Sequence, residues 1–186
     1  MNLNELIDLL AVDFPGCPRA TLRDMLRWAQ RELCAEGNAW IVNDGPAVVA
    51  AQSDTPEIEV PPGAEVLRIF WLKDDGRTLT PGDAYWQPSA SAVAFRYMPS
   101  SDELEGALVC RPVAGRDMPA DLISRWSGAL EHGAKYKLFA MPQPWRDLSL
   151  SEYHNHHFQG AQAESKHLAS AGHQHGSVRM QVPNFV

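Results

Sequence analysis

Two helix-forming stretches near the end of the chain, residues 119–140 and 148–171, constrain the fold more than any other feature. They flank the segment Met141-Pro142-Gln143-Pro144-Trp145, in which two prolines prevent a helix from continuing. The sequence therefore predicts two helices joined by a sharp corner. Residues 172–186 follow as a mostly polar arm that ends in the apolar patch Val182-Pro183-Asn184-Phe185-Val186. A C-terminal helical hairpin followed by an arm is typical of subunits that contact neighbouring subunits in an assembly. The pattern therefore favours a structural role in an assembly over a catalytic role.

The composition is that of one domain with a sizeable core. The chain has 186 residues, of which 45% are hydrophobic, and a formal net charge of −7, which argues against a generic DNA-binding surface. No uncharged apolar stretch of about 18 residues predicts a membrane span, and the first residues lack the features of a signal peptide. Because Cys17, Cys34 and Cys110 are widely spaced, we expect reduced thiols in a cytosolic protein and no disulfide or zinc framework.

Residues 1–37 are predicted to form two helices. The first has leucines at helical spacing and stops at the prolines of residues 14–18. The second is predicted to begin with Thr21 as its N-cap and to end at Gly37. Its apolar stripe, at steps of three and four residues, consists of Leu22, Met25, Leu26, Ala29 and Leu33.

Residues 39–113 contain short apolar runs bounded by Gly, Pro, Asp and Ser, a pattern typical of strands. Asp75-Gly76 predicts a tight hairpin turn. A second hairpin is predicted between residues 92–98 and 107–111. Strands do not alternate with helices here, so the sequence predicts an antiparallel sheet or small sandwich and not a nucleotide-binding parallel sheet.

Residues 119–171 return to helical periodicity. Pro119 suits the start of the first helix, whose apolar face consists of Ile123, Trp126, Leu130, Ala134 and Leu138. Gly128 and Gly133 weaken this helix, so we expect them to mark close helix packing. The last helix is predicted to begin at Ser149 or Ser151. Its weak apolar stripe consists of Leu150, Tyr153, His157, Ala161 and Leu168.

Together these patterns predict an α+β fold. Helices from residues 1–37 and 119–171 form a bundle, with the β-rich residues 39–113 inserted as an antiparallel sheet or sandwich. Residues 1–171 are expected to be one domain, and residues 172–186 an extended C-terminal arm.

Three histidines, His154, His156 and His157, fall within four residues. His154 and His157 share a helix face and, with Glu152 or another acidic residue, can in principle ligate one metal ion. The zincin spacing of two histidines four residues apart around a glutamate is absent. A polar helix at an interface or in solvent fits the pattern better, so neither a metal site nor a cofactor is predicted.

Signatures of catalysis are absent from the sequence. It contains no Gly-x-Ser-x-Gly elbow and no phosphate-binding glycine loop, so no enzymatic activity is predicted. Cys34 and Cys110 are expected to be small core residues. The six tryptophans are not interleaved with basic clusters, so core packing is favoured over stacking on a nucleic acid. Trp145 is expected to fill the corner between the last two helices.

The order and spacing of several segments carry a resemblance to a known family. The first part consists of residues 22–33 and Ala39-Trp40, then Glu57-Ile58-Glu59-Val60-Pro61-Pro62 and the turn at Asp75-Gly76. The more specific second part consists of Cys110-Arg111-Pro112, residues 118–122, residues 141–145, Tyr153-His154 and Phe158. Over nearly its whole length, the chain resembles phage head-to-tail connector (adaptor) proteins, which include the tail tubular protein A of short-tailed phages.

The resemblance implies a dodecameric ring that docks beneath the portal of a filled capsid, at the head–tail junction of the virion. Such a ring is assembled in the host cytoplasm, extends the DNA channel and offers a surface to the tail tube or nozzle protein. Double-stranded DNA passes through it without sequence-specific binding, and no membrane takes part.

Ring contacts are heterologous, so each subunit needs two different faces and often an arm. We expect the arm to contact the portal or a neighbouring subunit. Its predicted partner-binding residues are Gln174, Val178, Arg179, Met180, Val182, Phe185 and Val186. The alternative is a monomeric or dimeric binding module, such as another minor virion or tail-completion protein, that forms no ring.

Overall fold

The computed structural model describes residues 1–53 and 55–171. Within them the helices are α1 (Leu3–Asp13), α2 (Arg19–Gly37), α3 (Ala120–Arg125), α4 (Ser127–Ala140) and α5 (Leu148–Ala171). The strands are β1 (Ile41–Val42), β2 (Pro46–Val49), β3 (Glu57–Ile58), β4 (Ala64–Asp74), β5 (Arg77–Thr78), β6 (Tyr85–Trp86), β7 (Ala94–Phe95) and β8 (Leu104–Pro112). The predicted α+β class is confirmed, with helices from both parts of the chain and antiparallel strands between them.

The ends of α1 and α2 are set by their flanking residues. At the start of α1, the Asn2 side chain accepts from the Glu5 backbone N–H at 3.0 Å, and the Glu5 carboxylate accepts from the Asn2 N–H at 2.9 Å, which forms a capping box. The predicted start of α2 at Thr21 is wrong. Pro18 occupies the cap position with φ −59°, an angle that its ring already holds near the helical value.

The main sheet is centred on β8. Its strand order is β3-β2-β8-β4-β5, with β1 also paired to β8, and every pairing is antiparallel. The predicted turn at Asp75-Gly76 is confirmed, because it joins β4 to β5 and both residues have positive φ, 47° and 76°. Where β2, β8 and β4 meet, a Cβ atom on Gly106 would lie 2.6 Å from that of Ala47, so this close packing requires glycine.

The second predicted hairpin, between residues 92–98 and 107–111, is wrong. β7 pairs with β6 in a separate two-stranded sheet, whereas β8 pairs with β4 from Glu105 to Pro112. Residues 107–110 of β8 are almost completely buried. A strand that is apolar on both faces fits a central position, with neighbours on both sides, better than one arm of a local hairpin.

Helix α2 lies between the sheet and the other helices, since it packs against β8 and also against α4 and α5. Helix α1 contacts α2 and α4. The predicted apolar stripe of α2 is buried apart from Met25, which is partly exposed. One continuous core therefore joins the helical layer to the sheet.

The stretch predicted as one helix from residue 119 is two helices, α3 and α4, which meet at Trp126 (φ −103°, ψ 17°). Its predicted apolar face is nevertheless buried throughout, from Ile123 to Leu138. The prediction of close packing holds at Gly133, where a Cβ atom would lie 2.8 Å from the Cβ of Ala29 and from Cε2 of Phe158. It fails at Gly128, where a Cβ atom would meet nothing within 4 Å.

Helix α5 spans the predicted helix-forming stretch 148–171, with its start one residue before the predicted Ser149, and its buried face differs from the predicted stripe. The Asp147 carboxylate caps it by accepting from the N–H groups of Ser149 and Leu150 at 2.9 and 3.0 Å, the usual role of an N-cap aspartate. The buried residues are Ser151, Phe158 and Ser165. In the described part of the chain, no helix is both long and apolar enough to cross a membrane.

Candidate interaction surface

All seven residues predicted to bind partners, Gln174, Val178, Arg179, Met180, Val182, Phe185 and Val186, lie outside the described residues. The described residues offer other surfaces for contact. Two consist of exposed apolar side chains, at the start of α5 and around β6 and β7. The third is a groove beside the last turns of α5.

The corner between α4 and α5 fixes the direction of α5. The indole Nε1 of Trp145 donates to the carbonyl of Leu138 at 3.2 Å, and its ring meets Phe14 edge-on with centroids 6.1 Å apart. The predicted role of Trp145 in filling this corner is confirmed. One turn into α5, the Ser151 hydroxyl donates to the carbonyl of Tyr136 at 2.9 Å, so the helix is held to α4 from its start.

The first turns of α5 expose two large apolar side chains on one helix face, which we call the α5 patch. Leu150 and Tyr153 are 42% and 55% exposed. Leu150 and Tyr153 are three residues apart and therefore lie on one helix face. They belonged to the predicted apolar stripe, but these two residues face outward, because the buried face is formed by Ser151, Phe158 and Ser165. Apolar side chains grouped in this way are typical of contact surfaces.

A cluster of three histidines lies beside the α5 patch and joins α4 to α5. The Nδ1 atoms of His132 and His154 are 2.8 Å apart, and His132 also stacks on His157 with ring centroids 4.8 Å apart. Tyr153 packs edge-on against His157 at 4.5 Å. In the hydrogen bond between His132 and His154, one Nδ1 donates and the other accepts, so at most one of the two rings can carry a positive charge.

Burial and neighbouring charge both lower the pKa of two of these histidines, His132 and His154. Burial, followed by the charge of His132, lowers the pKa of His154 to about 4. Burial and the charge of His157 also lower the pKa of His132. The hypothetical metal ligands Glu152, His154 and His157 are not brought together, since His154 pairs with His132 and Glu152 is exposed. In residues 1–53 and 55–171, no group of three or more His, Cys, Asp or Glu side chains is arranged to hold a metal ion.

A second exposed apolar surface, the β patch, surrounds the small β6–β7 sheet. It consists of Trp86, Tyr97 and Met98, each at least half exposed. Since α2 lies between the main sheet and the α4–α5 hairpin, the α5 patch and the β patch belong to different layers of the subunit. Trp86 departs from the prediction of core packing for the tryptophans, whereas Trp40 and Trp126 are buried as predicted.

The third surface, which we call the C-terminal groove, has walls from three parts of the chain. Its lining consists of Asn38, Ala39 and Ile41 before and within β1, Leu122, Arg125 and Trp126 around α3, and Ser165, Leu168 and Ala169 of α5. Its volume is about 180 Å³. The guanidinium of Arg125 lies 5.5 Å from the centre of the Trp126 ring, a distance at which a cation is attracted to the ring.

The buried thiols offer no reactive group. Burial raises the pKa of Cys34 to about 12 and that of Cys110 to about 11. A nucleophilic cysteine needs a lowered pKa, because the thiolate is the reactive form. Both residues are completely buried, as predicted for small core residues.

Sequence reasoning missed His132 and the C-terminal groove. His132 is isolated from the other histidines in sequence, and only the hairpin between α4 and α5 brings it to His154. The groove depends on β1, α3 and α5 meeting, which no local pattern encodes. The chain matches no protein-family model and no curated protein.

Proposed function

We propose that this chain is the subunit of a phage head–tail connector, a ring that docks beneath the portal and offers an attachment surface to the tail. The resemblance described above motivates the proposal. The observation that best supports it is the pair of exposed apolar patches on different layers of one subunit. A closed ring of identical subunits is built from heterologous contacts, in which one surface of each subunit meets a different surface of the next.

The α5 patch and the β patch suit these two roles. The α5 patch places a leucine and a tyrosine on one face of a helix that is held at the Trp145 corner. The β patch adds a tryptophan, a tyrosine and a methionine, and aromatic residues and methionine are enriched in protein interfaces. Neither patch carries groups suited to catalysis, and a structural role uses both.

The arm expected from the sequence follows the end of the described fold at Ala171. In the proposed connector, this arm reaches the portal or the neighbouring subunit. The net charge of −7 is compatible with a channel through which DNA slides without binding.

The test mixes the purified chain with the portal protein of the same virus and scores rings by negative-stain electron microscopy and native mass spectrometry. The wild-type chain is expected to form a ring on the portal, and a Leu150→Glu/Tyr153→Glu variant is expected to lose it. Val12→Glu is the matched control, because Val12 is 79% exposed on α1 and outside both patches. A double variant that docks as well as the control would remove the α5 patch from the ring contact.

A shortened chain that ends at Ala171 tests the arm in the same assay. It is expected to dock poorly, and docking equal to that of the full chain would show that the arm does not hold the partner. If the full chain binds no portal and stays small at high concentration, the alternative of a monomeric or dimeric binding module replaces the connector.

A further inference from the structure

We propose that the histidine cluster is an acid-sensitive link between α4 and α5, which holds Tyr153 of the α5 patch in place and separates when His132 and His154 both become positively charged. The link is the contact between the two facing Nδ1 atoms, 2.8 Å apart. One N–H between these atoms makes a hydrogen bond, whether the pair is neutral or carries a single charge. A second charge leaves two N–H donors facing each other without an acceptor, and like charges repel. Acid therefore drives the two rings apart.

The position of the Tyr153 ring depends on this cluster. The ring meets those of His157, His154 and His132 edge-on, with centroids 4.5, 5.2 and 6.4 Å away. His157 in turn stacks on His132 at 4.8 Å. In the part of the chain that the structure describes, these three rings are the aromatic neighbours of Tyr153, whose outer side is exposed. Separation of His132 from His154 therefore displaces Tyr153 together with the rings on which it packs.

Other contacts keep α5 itself in place when the histidine pair separates. The Ser151 hydroxyl donates to the carbonyl of Tyr136 at 2.9 Å. The buried ring of Phe158 contacts Trp28 of α2, with centroids 5.9 Å apart. A hydroxyl, a carbonyl and two uncharged rings do not take up protons in mild acid. The change is therefore confined to the side chains at the α5 patch, and it is distinct from unfolding of the helix.

Charged groups on three helices surround the pair. On α4, Glu131 favours a positive charge on the pair, whereas Lys135 opposes it. On α5, His157 also opposes it. Helix α1 contributes Asp13, which acts through Lys135, because the Nζ atom of Lys135 lies 2.6 Å from a carboxylate oxygen of Asp13 and 2.6 Å from one of Glu131. Since Glu131 is already paired with Lys135, it does not offset the groups that oppose a second charge.

Burial and these charges delay the second charge until the solution is acidic. Burial is the larger cause, and it lowers the pKa of both rings, that of His154 to about 4. Because interacting groups titrate as a pair, the link is intact at neutral pH and separates as the pH falls toward 4. The consequence for assembly rests on the proposed function: where the α5 patch contacts the next subunit, acid weakens that contact. The separation itself is a property of the isolated subunit.

The experiment records nuclear Overhauser effects between aromatic rings of the isolated full-length chain at neutral pH and at about pH 4. At neutral pH, effects are expected between Tyr153 and His157 and between His132 and His157, whose rings are in contact. Both effects are expected to be lost at about pH 4. The effect between Trp28 and Phe158 is expected to remain, because the packing of α5 on α2 does not depend on the histidine pair.

Two variants show whether the pair is the cause. His132→Phe keeps a ring beside His157 but removes the facing nitrogen, so its Tyr153–His157 effect is expected to persist at about pH 4. The control His156→Asn, at an exposed position outside the pair, is expected to behave as the wild-type chain. Rings that stay in contact in the wild-type chain at about pH 4, or an equal loss in His132→Phe, would overturn the proposal. Simultaneous loss of the Trp28–Phe158 effect would also overturn it, because α5 would then be unfolding. Since the wild-type spectra of the isolated chain decide by themselves, failure here is distinct from a failure to form rings on the portal.

Discussion

Replacing Gly133 with alanine tests the packing that positions α5. On an otherwise open helix surface, Gly→Ala stabilises by up to about 1 kcal/mol, because alanine loses less backbone entropy. At Gly133 the added methyl group would lie 2.8 Å from both the Ala29 Cβ and Phe158 Cε2, so α2, α4 or α5 must shift. Overpacking of this kind costs about 1–3 kcal/mol. We therefore expect Gly133→Ala to destabilise the protein by about 1–2 kcal/mol in net terms.

The matched control for this change is Gly128→Ala in the same helix. A Cβ atom there would meet nothing within 4 Å, and since Gly128 is near the start of α4, a gain of only about 0.5 kcal/mol is expected. Urea unfolding followed by far-ultraviolet circular dichroism gives both free energies of unfolding. The two variants should differ by about 2 kcal/mol with opposite signs. If Gly133→Ala is as stable as Gly128→Ala, the close contact of α4 with α2 and α5 does not exist in solution.

Two further predictions concern stability. The pKa of His154 is lowered to about 4 in the folded chain, so the unfolded chain binds a proton at this residue at a higher pH than the folded chain does. The free energy of unfolding should therefore be highest above pH 6.5 and fall as the pH drops toward 4. Solvent access to the half-buried ring limits the loss of unfolding free energy to about 1–2 kcal/mol. Urea unfolding at a series of pH values should show that His154→Asn reduces the dependence of this free energy on pH, whereas the control His156→Asn, at an exposed position, does not. The same pH dependence in both variants would contradict the His132–His154 contact. Arg111 makes two hydrogen bonds to the Glu65 carboxylate, at 2.9 and 2.7 Å, and lowers the pKa of that carboxyl group. Glu65→Gln should therefore lower the free energy of unfolding, measured by thermal unfolding, by about 1 kcal/mol at low salt and by less at 1 M salt. A decrease that does not depend on salt would refute the ion pair.

The helices around the core were predictable because their burial follows a helical period. The face from Ile123 to Leu138 is buried throughout, even though Trp126 divides it between two helices. Apolar residues spaced three and four apart show which side of a helix faces the core, even where the backbone breaks locally between two helices.

The buried face of α5 was not predictable from hydrophobicity. Ser151, Phe158 and Ser165 are buried at steps of seven residues, a spacing that keeps one seam of a helix against its neighbours. Two of the three are small and polar, so a search for apolar residues selects Leu150 and Tyr153, which are exposed. The seven-residue spacing was the available signal, and it separates the packed face of α5 from its exposed face.

The prediction of strand pairing failed for a different reason. β8 was predicted as part of a local hairpin, but its partners β1, β2 and β4 come from residues 41–74. A run of apolar residues shows that a strand is central without showing which strands flank it. The C-terminal groove and the histidine cluster also arise from contacts distant in sequence, so neither was accessible before the fold was known.

The most direct test of the proposed connector is a cryo-electron microscopy reconstruction of the head–tail junction in the phage particles that, on this proposal, contain this chain. The account predicts a ring of this chain immediately below the portal, with the α5 patch of each subunit buried against a different surface of the next. A different protein in that position, or a ring in which Leu150 and Tyr153 remain exposed to solvent, would contradict it.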